Sequence, residues 1–393
     1  EFEVPVMIRM TTRVCHSKSL VTEGTRTEVA PVLYEKHPER NDAIPAVSKV
    51  RRHIVEAREE KLKAYSNVCP WNYEEMHDTK IGIVASGAAY MYAKDVFGDK
   101  ASYFKVGLSY PMPVEKIRAF REKVDELYVI EELDPYMEEI LRTAGIDCHG
   151  KDVIPKIDEL NPNIIAEAVL GTTREFNDVP QDLLVPRPPT FCAGCPHRGF
   201  FYALSKRKDT VMIGDIGCYA LGGADPLNAI DLAVCMGAAF SLGHGMSHAF
   251  EKSNQPKRVV SIMGDSTFFH TGINSLIEVA YNGSPTINVI LDNRITGMTG
   301  HQENPGTGYN IKGDTTSFID IEAVVRALGL KNIRIVNPLD LKAMNEALDW
   351  AYAITDEPSV IITKWPCVLK KFSKEDKEQF DLNMTPFVVN RDK

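Results

Sequence analysis

The sequence predicts an α/β protein: a parallel sheet flanked by helices, with a smaller α/β domain ahead of it. Two observations carry that prediction. Residues 258–263 (RVVSIM) and 286–291 (TINVIL) are short apolar runs of the kind buried on both faces of a parallel sheet, and the periodic run 273–281 between them reads as a crossover helix. Upstream, residues 81–145 alternate strand-like and helix-like patterns in β-α-β-α order.

Taken along the chain, residues 1–10 (EFEVPVMIRM) read as a buried strand without a preceding turn or cap, followed by a polar loop over 11–19. A chain that opens inside a strand reads as part of something longer, so 1–40 is expected to be a domain remnant. Residues 41–77 hold a highly charged helical run (KVRRHIVEAREEKLKAY), a solvated connecting segment. The small α/β domain spans 78–150, with strands at 81–86, 103–108 and 127–132, a helix from Gly87 to Phe97, and helices starting near Pro113 and Pro135. Its Ala85-Ser86-Gly87 turn lacks the G-x-G-x-x-G of a dinucleotide site and reads as packing. Residues 151–189 form a linker with one short helix at 164–170 and a proline-rich end (VPRPP). The larger unit, 190–370, carries strands at 211–213, 258–263, 286–291, 333–336 and 359–363. A charged tail over 371–393, ending in a strand-like PFVV, reads as a surface-bound connector.

Composition narrows the function. The 393 residues, 44% hydrophobic and 25% charged, suit a soluble globular chain of roughly two to four domains. A net charge of −9 with no basic, aromatic-interleaved stripe argues against nucleic acid. No apolar run approaches the roughly 18 residues of a membrane span, and the expected compartment is the cytosol. Eight cysteines in so long a chain do not resemble a secreted disulfide framework, so clustered ones read as metal or redox ligands.

Two constellations carry chemistry. Parallel strands open their carboxyl ends on one side, so Gly264-Asp265-Ser266 and Asp292-Asn293 converge on one crevice. Gly264 lets backbone approach a ligand, Asp265 is a hard anionic donor and Asn293 a neutral one, the set that a magnesium ion carrying a diphosphate needs. The plain alternative is two ordinary turns after strands. The second constellation is sulfur: Cys192 and Cys195 in FCAGCPHRGF, Cys218 in GDIGCYALGG and Cys367 in KWPCVL all lie at loop or strand ends. Four thiolates suit an iron–sulfur cluster or a structural zinc, against a lone C-x-x-C or a buried thiol. Cys235, in AVCMGAAF, reads as a core residue of a helix. His244 and His248, four apart on one helix, read as a polar face, and His270 and His301 flank the first constellation.

With CAGCPHRGFFYAL, GDIGCYALG, MGDSTFFHTG and LDNRITGMTGHQENPGTG, the chain resembles the large subunit of the indolepyruvate (arylpyruvate) ferredoxin oxidoreductases, within the 2-oxoacid:ferredoxin oxidoreductase superfamily. The resemblance implies a thiamine-diphosphate-binding fold over 190–370 and a transketolase-C-terminal-like domain over 78–150. It implies a remnant of the pyrimidine-binding domain over 1–40, with the rest of that domain, its activating Glu and a ferredoxin module lying outside this sequence. It implies magnesium held by Asp265, Asn293 and the carbonyl of Ile295, with Ser266 and Thr267 on the diphosphate. Gly217, Cys218, Met236 and Gly237 would line the cofactor, and Cys192, Cys195, Cys218 and Cys367 would hold a 4Fe-4S cluster. The activity implied is oxidative decarboxylation of an arylpyruvate to aryl-acetyl-coenzyme A, with a small beta subunit and ferredoxin as partners. Two departures stand out. Pro196-His197 replaces the Gly-Glu of the pyruvate enzymes, and Met298 stands where those carry a substrate-binding Asn, which suits a larger aromatic substrate. A non-redox thiamine decarboxylase and a non-catalytic cofactor scaffold are the alternatives.

Overall fold

The computed structural model describes residues 2–172, 180–255, 257–382 and 391. The chain divides into two compact units, Glu1–Leu183 and Leu184–Lys393.

The first unit is built on a four-stranded sheet of order β1-β3-β2-β4, with β1 Tyr73–Glu75, β2 Ile81–Ser86, β3 Ser102–Val106 and β4 Glu126–Ile130. Strands β2, β3 and β4 are parallel, and β1, which the sequence reading missed, adds an antiparallel edge. Three residues with both tyrosine and two glutamates give β1 no apolar alternation to recognise. The charged helix runs Pro45–Val68, with almost every residue solvated. Residues 2–10 form no strand. They are irregular and largely exposed, Met7 and Ile8 included, because no edge of this sheet takes them up and an unpaired apolar run has no ladder to join.

The second unit carries a fully parallel five-stranded sheet of order β5-β6-β7-β9-β8. Its strands are β5 Thr210–Ile213, β6 Arg258–Gly264, β7 Ile287–Asp292, β8 Asn332–Val336 and β9 Ser359–Lys364. Every residue of β7 is buried, as a central strand covered on both faces requires. Phe200, Phe201, Met344 and Leu348 form a core with Val260, Ile262 and Leu291, while Phe240, Phe268, Leu276 and Val325 pack with Val259, Met263 and Ile290. Side chains of one strand alternate between these two cores, so helices cover both faces. The helix Ala239–Lys252 comes close to the sheet at Gly243, where a Cβ would lie 2.0 Å from Ser261 Oγ.

The crossover helix Ile273–Asn282 buries Leu276 and Val279 and ends at Gly283, whose φ of 63° supplies the left-handed cap. Ahead of it the backbone passes through one π-helical turn, Phe268–Gly272, directly after Asp265–Thr267. The strand-like PFVV of the tail lies outside the described residues.

Candidate functional site

Strands β6 and β7 are direct neighbours, with Gly264 opposite Leu291. Their carboxyl ends therefore set Asp265 beside Asp292 and Asn293, and all three are buried. Asp265 Oδ1 accepts from the Ser266 amide at 2.8 Å and Oδ2 from Asn304 Nδ2 at 3.1 Å. Asp292 Oδ1 accepts from the Arg294 amide at 3.0 Å, and Asn293 Oδ1 from the Ile295 amide at 3.3 Å. Burial pushes the Asp265 carboxyl well above the usual carboxylate range, and the charge of Asp292 pushes it further. Asp292 is raised by burial too, with Arg294 and Lys364 pulling it back. The two carboxyls act on each other, the charge of one opposing ionisation of the other.

Tyr219 fills the space beside Gly264 and Gly217. A Cβ at either glycine would meet the tyrosine ring at 2.5 Å. The missing side chain of Gly264 admits this ring and leaves its backbone open to close approach. Tyr219 Oη donates to the Ile216 carbonyl at 3.0 Å and lies 3.2 Å from Thr267 Oγ1. Ser266 Oγ accepts from Thr296 Oγ1 at 2.9 Å. Ile295 is buried, and Met298 is exposed on the loop beyond it.

Asp215 went unnoticed in the sequence, although it repeats the strand-Gly-Asp pattern of Asp265. It is fully buried, accepting from the Ile216 amide at 2.6 Å and the Gly237 amide at 2.8 Å. It thereby ties the segment of Gly217 and Cys218 to that of Met236 and Gly237. Gly237 has a φ of 89°, in the left-handed region, and the following helix starts only at Ala239. Cys235 is consequently exposed and outside any helix, not the helical core residue that its apolar neighbours suggested.

All eight cysteines are free. Cys195 is buried, Cys218 and Cys367 are partly so and Cys192 is exposed. Burial pushes the Cys195 thiol up to about 11, with further upward pressure from Cys367, Cys192 and Cys218. Cys218 is raised by burial and by Cys367 and Cys192. The four thiols thus share one neighbourhood. Among the described residues, no three of His, Cys, Asp or Glu gather at the spacing of a single-ion site. Asn293 joins this neighbourhood to the crevice. Its carbonyl accepts from the Cys367 amide at 2.9 Å, and its Nδ2 lies 3.4 Å from Nε2 of His197, on the turn after Cys195. His197 is fully enclosed, edge-on to Tyr219, and burial lowers its pKa to about 4, so the ring is a neutral acceptor for the Asn293 amide.

Other sequence-level candidates stay apart from this crevice chemistry. His244 and His248 stand with ring centroids 4.8 Å apart and share Ser284, a hydrogen-bonded helix face. His270 Nδ1 pairs with Thr271 Oγ1 at 2.5 Å, and His301 is exposed.

Residues 215–363, from Asp215 to the end of β9, match the family described as thiamine pyrophosphate enzyme, C-terminal TPP binding domain. Over 94% of its length the chain is 36% identical to the indolepyruvate oxidoreductase subunit IorA of Methanothermobacter thermautotrophicus. It is 32% identical over 95% of its length to that of Thermococcus kodakarensis. Over nearly its whole length the chain is similar to these IorA subunits. It spans 63% of the length of the first relative and 64% of the second. Among solved structures, a 2-oxoglutarate:ferredoxin oxidoreductase from Magnetococcus marinus aligns with 52% of this chain and 73% of its own at 19% identity, with a TM-score of 0.42. Among the described residues no helix is long and apolar enough to cross a membrane.

Proposed function

We propose that this chain forms the diphosphate-binding part of an oxidoreductase that decarboxylates aryl 2-oxoacids of the indolepyruvate and phenylpyruvate type. A 4Fe-4S cluster would supply the path for electrons to ferredoxin, coenzyme A would take the acyl group, and a small beta subunit would complete the enzyme. The observation that carries the reading is the buried Asp265–Asp292 pair with Asn293 at adjacent parallel strand ends, inside the matched thiamine domain. The diphosphate-binding domain is assigned to 190–370 and the smaller domain to 78–150.

The residues fit a magnesium–diphosphate group, since a divalent cation neutralises two carboxyls that repel each other when both are charged. Asp265, Asn293 and the Ile295 carbonyl would hold the metal, Ser266 and Thr267 would bind the diphosphate, and Gly217, Cys218, Met236, Gly237 and Gly264 would line the cofactor. Thiamine diphosphate, when bound, supplies the carbanion and electron sink for decarboxylation. The chain's own work is to seal one wall with Tyr219, to orient the Asn293 amide through neutral His197, and to offer the exposed thioether of Met298 to an aryl group. Cys192, Cys195, Cys218 and Cys367 fit a cluster in donor type and shared neighbourhood, and they are assigned as its ligands.

Iron and acid-labile sulfide analysis of anaerobically purified chain, with EPR after reduction, tests the redox part. About four irons and four sulfides per chain are expected for one such cluster. A chain without iron that still decarboxylates arylpyruvates favours the non-redox reading, and stoichiometric zinc overturns the cluster assignment.

A further inference from the structure

We infer that the segment following β9, residues 365–380, is a latch on the loop 292–295, with Asp376 as the positioning residue that holds that loop in shape. The inference rests on the reading of that loop as the magnesium and diphosphate site.

Asp292 and Asn293 are held from this segment by main-chain hydrogen bonds, and Arg294 faces it across a longer ion pair. The Trp365 amide donates to the Asp292 carbonyl at 3.1 Å and the Cys367 amide to the Asn293 carbonyl at 2.9 Å. Arg294 Nε faces Asp376 Oδ1 at 4.0 Å, both side chains being buried. Arg294 stands between Asn293 and Ile295, and its φ of 62° is one that a non-glycine residue keeps only where its surroundings impose it. Its guanidinium lies 4.9 Å above the Phe318 ring. The backbone that aims Asn293 and Ile295 thus carries an arginine whose charge is answered by Asp292 of the loop and by Asp376 of the latch.

Asp376 is built for that task. It is fully buried, pairs with the buried Lys370, and accepts from the Ser373 amide at 3.0 Å in a capping box that starts the helix Lys374–Gln379. Six residues are too few for a helix to persist by itself, so this one exists through its tertiary contacts. Tyr309 Oη donates to Glu375 at 2.9 Å, linking the same helix to the stretch that also supplies Asn304 to Asp265. Arg294 Nε and Nη1 and Asp376 Oδ1 have no hydrogen-bond partner among the described residues, so the pair has room to tighten. Whatever orders the loop must then order the latch, and the reverse, because the coupling between two sites is reciprocal.

Hydrogen exchange read by mass spectrometry tests this in two arms. In the ligand-free chain, Asp376→Asn is expected to speed exchange of amides 292–297 about tenfold while β6 and residues 287–291 of β7 keep their protection, and Asp376→Glu to restore most of it. Unchanged exchange at 292–297, or an equal acceleration in the strands, overturns the positioning role. In the wild-type chain, magnesium thiamine diphosphate is expected to protect both 292–297 and 368–380. Protection of the loop alone overturns the latch. No protection anywhere overturns the cofactor reading, and the ligand-free arm then decides the latch by itself.

Discussion

Replacing Asp265 by Asn separates the stability of the crevice from its function. Asp265 and Asp292 are both buried, and both carboxyls titrate above the usual carboxylate range. In the ligand-free protein the folded state therefore keeps protons that the unfolded chain has released. Stability is fully retained below the unfolded carboxylate value and falls as pH rises through the raised folded values. An Asn at 265 reproduces the protonated form: its amide donates to Asp292 while its oxygen keeps one of the donors, Ser266 or Asn304. Relief of one poorly satisfied buried group is worth about 1–3 kcal/mol. For a unit the size of Leu184–Lys393, this corresponds to a melting point raised by roughly 2–12 °C at alkaline pH, with little change at acid pH. Thermal melts of metal-free wild type and Asp265→Asn, from about pH 5 to about pH 8.5, read the effect. A variant that melts below the wild type at high pH, or that keeps the wild-type pH slope, refutes the reasoning.

His197 contributes to the acid limb. Its folded pKa of about 4 lies below the unfolded value, so its contribution is present above the unfolded value and is lost as pH falls toward 4, by about 3 kcal/mol at most. His197→Phe is expected to flatten that acid limb in the same melts, and to weaken magnesium-dependent cofactor binding because the Asn293 amide loses its acceptor. Gly264→Ala places a Cβ 2.5 Å from the Tyr219 ring and is expected to cost about 1–3 kcal/mol, with near-ultraviolet circular dichroism reporting the displaced tyrosine. Cys195→Ser removes the most enclosed of the four thiols, and the iron content of the anaerobic protein is expected to fall to a small fraction of wild type.

Most of the sheet was legible because central parallel strands announce themselves: RVVSIM and TINVIL have no polar face to confuse the pattern, and β6 and β7 fall within one or two residues of expectation. Asp265 and Asn293 were legible for the same reason, since adjacent parallel strands bring their carboxyl ends together. Three other features depended on contacts distant in sequence. The run 2–10 has an apolar strand pattern without a sheet edge to receive it, and only topology decides that. Cys235 lies in a run with helical composition, but Gly237 in its left-handed conformation and the hold of Asp215 on that turn delay the helix to Ala239. Arg294 and Asp376 lie 82 positions apart, and only the fold shows that both are buried and face each other.

The central claim is that the crevice between β6 and β7 holds thiamine diphosphate through magnesium. Calorimetric titration of the metal-free chain with thiamine diphosphate, with and without magnesium and in parallel on folded Asp265→Asn, tests it most directly. The account predicts saturable binding to the wild type only when magnesium is present, and loss of that binding in the variant. Binding that ignores magnesium, or that survives Asp265→Asn intact, contradicts it.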